Sequence, residues 1–500
     1  MKKKLFNAFA LTALLFMGTL SASAQATKGY TVTAMDPKVA EMCDQVIELQ
    51  IDDPDKANTI FKKIISKVKT NKEQLVNVGD FFLSKNVYQV AKMCADQVYK
   101  VDATYIPGLM FAGMVAKTQG FATGSDTYFG TAGQKFEEVL ALDSLNVPAM
   151  RQNVTIYKRI NPAAAKVYLD KIASLNPDDY TVEQDLGDIS YNGDEYADAI
   201  KHYEKYFQLA PADSITDPKA AENYCYSLFS TLDFQKLKTQ ADKWKAKFPE
   251  DIVFARMDFF ADVFNNENEK AAQSISYLSN EKWPESLHTY FDYNVATTYY
   301  MNISDYASAE QYIQKAMKAD PTKNDEWYRL ATCYSQQSKY DQAIEAYKKY
   351  FAGLPDGPTA DNYFALGMTY LFANNEEGVT PESKAANITA GAEAFQKAYE
   401  KDNTMYKALY RRAQMLISDT SKAEEAPKNA FVELLNAVKG VEDEDGSLES
   451  FKNTAYRYVV FYYYSNKDFA SAKSYNDQWL QDDPENDTAK QFKQVLDAQQ

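Results

Sequence analysis

The sequence predicts an all-α fold, a right-handed superhelical solenoid of about twelve helix–turn–helix repeats. Three observations predict it. A 34-residue beat joins two abutting units: Tyr293, Ala296, Tyr300, Tyr306, Ala309 and Pro321 are answered by Trp327, Leu330, Tyr334, Tyr340, Ala343 and Pro355. Within a unit, large and small residues alternate at helical spacing and a proline closes the set. The aromatic content is dominated by 37 Tyr and 28 Phe, as expected where one aromatic position recurs in every unit.

Taken in chain order, residues 1–24 read as a signal peptide. Lys2, Lys3 and Lys4 form a basic start, Leu5 to Leu20 an apolar stretch, and Ala22-Ser23-Ala24 a small-residue cleavage site before Gln25. The apolar stretch is short for a bilayer span and is interrupted by Asn7, Thr12 and Thr19. No cysteine follows until Cys43, so there is no lipid-attachment site, and cleavage after Ala24 implies a periplasmic or secreted protein. Residues 25–37 form a linker, 38–484 the repeat array and 485–500 a polar-faced C-terminal capping helix. Units begin near Val39, Lys72, Ile106, Asn146, Tyr180, Pro218, Ile252, Tyr290, Asn324, Ala360, Thr404 and Asn453.

One unit shows the physics. Leu186 faces the core and Gly187 lets a neighbouring helix approach. Ala199 does the same on the second helix, and Tyr203 fills the space one turn later. Pro211 biases Ala210 away from helix and ends the unit. The roles recur in Val459, Phe469, Ala472, Trp479 and Pro484, and in Phe234, Ala241, Trp244 and Pro249. Two stretches depart from the beat. Residues 118–133 add a glycine-rich turn inside unit three, and 373–387 lengthen the same turn in unit ten. Either these are loop growth, or they touch a partner. Glu442 to Gly446 is an acidic linker, and Val441 stands where a calcium loop would need its first ligand.

Composition limits function. The formal charge is −16, and −19 without the three leader lysines, which disfavours nucleic acid and anionic lipid. Cys43, Cys94, Cys225 and Cys333 show no CxxC spacing; Cys43 and Cys94 are the only pair in adjacent units, and Cys225 falls at a small-residue packing position. His202 and His288 are the only histidines, and neither has a Cys or Asp at metal-ligand spacing. Nucleotide-binding and hydrolase fingerprints are absent, so neither catalysis nor a cofactor or metal is expected.

The spacing and residue roles resemble those of the tetratricopeptide repeat (TPR), over nearly the whole chain after the leader. The resemblance implies a non-catalytic scaffold or adaptor that binds protein partners. In such repeats the first helix of each unit lines a concave groove, with residues two, five, nine and twelve facing it. Carried over, residue twelve is Tyr157, Tyr191, Phe229 and Tyr464; residue five is Tyr328 and Phe364; residue two is Phe291; and residue nine is Phe260 or Phe461. Such rings suit a trough for an extended peptide or a helix. The other reading is that they pack on one another. Met42 and Val46 stand where a carboxylate clamp would need lysine and asparagine. The chain is also similar in size, export and helical repeats to SusD-type sugar binders, which makes an envelope glycan-binding protein the alternative.

Overall fold

The computed structural model describes residues 28–417, 423–442 and 446–498. The leader, and Asp443 to Asp445 of the acidic linker, lie outside them. Among the described residues there are 25 α-helices, a single 3-10 turn at Glu285–Leu287 and no strand.

The chain divides into two compact units, Met1–Phe254 and Ala255–Gln500. The first holds α1 (Pro37–Asp52), α2 (Pro54–Val68), α3 (Lys72–Ser84), α4 (Tyr88–Val101), α5 (Ile106–Thr123), α6 (Asp126–Leu142), α7 (Val147–Ile160), α8 (Pro162–Leu175), α9 (Tyr180–Asn192), α10 (Tyr196–Leu209), α11 (Lys219–Ser230) and α12 (Phe234–Lys247). Helix α13 (Ile252–Phe264) begins in it. The second holds the rest of α13, then α14 (Asn268–Leu278), α15 (Tyr290–Asn302), α16 (Tyr306–Ala319), α17 (Asp325–Gln336), α18 (Tyr340–Ala352), α19 (Ala360–Asn374), α20 (Pro381–Lys401), α21 (Tyr406–Met415), α22 (Glu425–Ala437), α23 (Ser447–Ser465), α24 (Phe469–Asp482) and α25 (Asp487–Asp497). In chain order these are twelve helix pairs and a final helix.

One turn design makes seven of the hairpins. Asn86, Asp194, Leu232, Asn266, Ser304, Ser338 and Lys467 adopt positive φ between first and second helix. Each turn closes with two backbone bonds: Asn86 N–H donates to Leu83 O and Val87 N–H to Phe82 O, and the others repeat this, down to Lys467 with Tyr464 and Asp468 with Tyr463. This pattern satisfies the last carbonyls of the first helix. Asp233, Asp305 and Asp468 then cap the second helix through side-chain bonds to its first amides. Between units, Asp102, Asp320 and Asp402 each accept from the amide and hydroxyl of a threonine two residues on.

The core lies between paired helices and between units. Ala199, Ala241, Ala309, Ala343 and Ala472 are fully buried, and Tyr203, Trp244 and Trp479 are buried beside their own alanines. Fully burying a side chain of this size contributes on the order of 1.5–3 kcal/mol. All four cysteines are buried and free.

Some expectations needed correction. Residues 118–133 are not a long turn: α5 and α6 run through them, leaving Gly124 (φ 67) and Ser125 as the break. Their glycines read as turn formers, but Gly120 and Gly133 are helical, where a Cβ would meet the Phe129 ring at 2.9 Å and the Tyr157 hydroxyl at 2.8 Å. In unit ten the turn is confined to residues 375–380, because α20 starts at Pro381 with Thr380 as its cap. The last pair begins at Ser447, ahead of Asn453.

Candidate functional site: the wall of first helices

First helices of successive units pack side by side, α1 with α3, α3 with α5, α9 with α11 and α21 with α23. Helix α3 carries polar residues at Gln74, Asn77 and Asp80, one face of a helix that otherwise reads Leu75, Val76, Val78, Phe81, Phe82 and Leu83. That face is occupied. Residues 28–36, read as a linker, run along it without regular secondary structure, bending at Gly29 (φ 69), and are bound through side chains. Lys28 Nζ lies 2.7 Å from both Asp80 oxygens, and the Tyr30 hydroxyl donates to Asp80 Oδ1 at 2.7 Å. Asn77 accepts from Thr33 N–H at 3.1 Å and donates to its hydroxyl at 2.7 Å. Gln74 accepts from Asp36 N–H and donates to Ala34 O, both at 3.3 Å. Glu73 accepts from the Thr33 hydroxyl at 3.1 Å. Tyr30 meets Phe111 of α5 edge-on, with centroids 5.8 Å apart. Burial, then the Asp80 charge, pushes the Tyr30 phenol well above its usual range.

Further along, the wall is closed by ions. Arg151 of α7 pairs with Asp179 and, at 3.3 Å, with Asp185 of α9, while Lys158 reaches Asp185 at 3.0 Å. Lys117 of α5 bonds Gln152 of α7, and burial lowers its ammonium to about 8.

The nine expected groove residues are not one surface. Phe260 is fully buried against Phe259 and Phe291, so it belongs to the packing interior and not to a free wall. Phe229 is nearly buried, and Phe291 is half-buried. Tyr191, Phe229 and Tyr464 each meet the first ring of the next helix, Tyr196, Phe234 and Phe469, with centroids 6.0, 5.8 and 5.8 Å apart. They clasp the hairpin turn. Tyr157 stacks on Tyr168 and donates to Glu137 at 2.7 Å. Half-buried Tyr328 packs on Tyr347 and Tyr350 of α18, and half-buried Phe364 on Phe395 of α20. Phe461 is the most open, at 42 % exposure. Sequence reasoning missed Gln74, Asn77 and Asp80 by looking for rings. The signal was the three-residue spacing of polar groups on an apolar helix.

The other candidates are structural in setting. His202 Nδ1 lies 2.7 Å from Glu183, which also holds Lys205, and His288 packs on Tyr293. A cavity of about 270 Å³ includes Trp283, His288, Tyr293 and Tyr312 in its lining. Lys282 sits over Trp283, and Lys315 over Tyr293 and Tyr312. Among the described residues no group of three or more His, Cys, Asp or Glu is placed to hold a metal, and no helix is long and apolar enough to cross a membrane.

Fold and wall define a helical-repeat protein. The tetratricopeptide repeat family model matches residues 298–358, the end of α15 through α18, so the chain carries tetratricopeptide repeats over that stretch. No curated protein matches it. Among solved structures, it is similar to the C-terminal part of a TPR repeat-containing protein from Cytophaga hutchinsonii, at 17% identity and TM-score 0.42, covering 54% of this chain and 98% of that one. It is also similar to the APC/C hetero-tetramer Cut9–Hcn1, at 14% identity and TM-score 0.23, covering 91% and 89%. At those scores neither likeness adds to the assignment.

Proposed function

We propose that this protein is a non-catalytic interaction scaffold of the bacterial periplasm or envelope, which binds segments of partner proteins along its first helices. TPR proteins generally mediate protein interactions. The observation that carries the reading here is the exposed ring of Phe461 on a first helix, flanked by Tyr458 and half-buried Tyr464. Exposed aromatics on a helix wall are the usual anchors of an interface. The leader-like residues 1–24 support the location. The glycan reading draws less support, because in the cavity lined by Trp283, Tyr293 and Tyr312 lysines already lie over the rings on which a sugar would stack.

A photo-cross-linking residue at Phe461 or Tyr464, compared with one at Met93 or Val167 on second helices, tests this in producing cells. First-helix positions should give discrete protein adducts and second-helix positions none. Equal labelling from both faces would overturn the proposal.

A further inference from the structure

The chain along α3 is the closest thing in this structure to a bound ligand. Its contacts have the form of peptide recognition. The segment bends at Gly29, which takes φ 69, and Lys28 and Tyr30 on either side of it converge on one carboxylate. Two amide side chains read the main chain: Asn77 at Thr33, and Gln74 at Ala34 and Asp36. Such side-chain-to-backbone bonds are indifferent to the sequence they hold. Specificity falls to Asp80, which asks for a cation and a phenol two residues apart, and to Asn77 and Glu73, which ask for a hydroxyl.

The polar groups are built for occupancy. Asn77 is 1 % exposed and Asp80 7 %. These values hold with the segment in place, and a group that stayed out of water after the segment left would lose its partner at a cost of about 1–3 kcal/mol. The present occupant is lightly held. It makes no backbone-to-backbone bond with α3. Thr31, Val32, Thr33 and Ala34 are exposed, and Tyr30 is the one aromatic it packs inward.

We infer that residues 28–36 are a replaceable intramolecular occupant, and that the Gln74–Asn77–Asp80 face of α3 with Phe111 docks a partner segment of the form Lys-Gly-Tyr-x-x-Ser/Thr, the glycine supplying the positive φ of the bend. This rests on the scaffold reading and names the partner chemistry for one stretch of the wall. The tether gives the chain's own segment an effective concentration on the order of millimolar. A partner therefore binds only when it matches the pattern more closely or contacts neighbouring units as well.

The test uses the purified full chain and a fluorescent peptide with the sequence of Lys28 to Asp36. Lys28→Ala with Tyr30→Ala, confirmed helical by circular dichroism, loosens the chain's own segment. This variant should bind the peptide saturably and at least ten-fold more tightly than the unaltered chain. Adding Asp80→Asn should weaken it at least ten-fold, and a peptide with Lys and Tyr both replaced by Ala should not compete. A folded double variant that binds no better than the unaltered chain would overturn the inference. So would binding insensitive to Asp80→Asn, or light scattering that shows dimers instead of peptide uptake. Because the cross-linking positions at Phe461 and Tyr464 lie on α23, that experiment can succeed while this one fails.

Discussion

Tyr30, Tyr203, Tyr224, Tyr290 and Tyr456 each donate a hydroxyl to a carboxylate, on Asp80, Asp188, Glu204, Glu326 and Asp482. In these positions a tyrosine fills the space of a core ring and also gives its hydroxyl a partner. Two other residues give sharper tests. Leu232 holds φ 62 in a hairpin turn and is 55 % exposed, so it is strained without being packed. Leu232→Gly should raise stability by about 0.5–1 kcal/mol in urea denaturation. Arg256 makes a buried two-pronged pair with Asp292, at 2.5 and 3.1 Å, and donates to Leu287 O at 3.1 Å. Asp292 Oδ2 in turn accepts from Thr289 N–H, completing the cap of α15. Arg256→Ala should cost about 3–5 kcal/mol, since it strands a buried carboxylate; a loss under 1 kcal/mol by the same assay would refute this.

At the scale of the element, the close approach of paired helices decides what a glycine is worth. A Cβ on Gly187 would meet the Tyr203 ring at 2.7 Å, whereas one on Gly130 of α6 meets nothing within 4 Å. Gly187→Ala should therefore lose about 1–2 kcal/mol despite better helix propensity, and Gly130→Ala should gain about 0.5–1 kcal/mol. Thermal denaturation of both variants checks the pair. The same contrast explains what was legible. The roles of Gly187, Ala199 and Tyr203 follow from spacing, because each is fixed by one neighbour at a known helical offset. The glycines of 118–133 misled, because a glycine that admits a ring and a glycine that makes a turn look alike in sequence. The hairpin clasps of Tyr191, Phe229 and Tyr464 were hidden for a related reason: a residue near the helix end is free to fold back onto the next helix.

For the whole molecule, the repeat beat located eleven of the twelve pairs to within two residues of their observed starts, the exception being α23, which starts at Ser447 and not near Asn453. Nearest-neighbour packing makes this possible, since each unit answers only to the next. The candidate site was less legible. What lies against α3 comes from a segment with no repeat and no helix period, and periodicity says nothing about where such a chain will lie. The tyrosine–carboxylate pairs also set a global pH response. Burial beside acids raises these phenols above their ordinary value of 10, and burial, helped by neighbouring Tyr328, takes Tyr347 to about 12. The folded state then keeps protons that the unfolded chain releases near pH 10, so stability should hold up to about pH 10 and fall as pH rises further. Phenolate absorbance and helical circular dichroism, followed together from pH 8 to 12, should change in one coincident transition.

Amide hydrogen exchange on the purified full chain reaches the central claim most directly, because it asks whether side chains of a first helix hold residues 28–36. The Thr33 and Asp36 amides, bonded to Asn77 and Gln74, should exchange slowly, and Asn77→Ala should abolish protection at Thr33 while α9 and α10 keep theirs. Exchange of residues 28–36 at the rate of an unstructured peptide in the unaltered protein would contradict it.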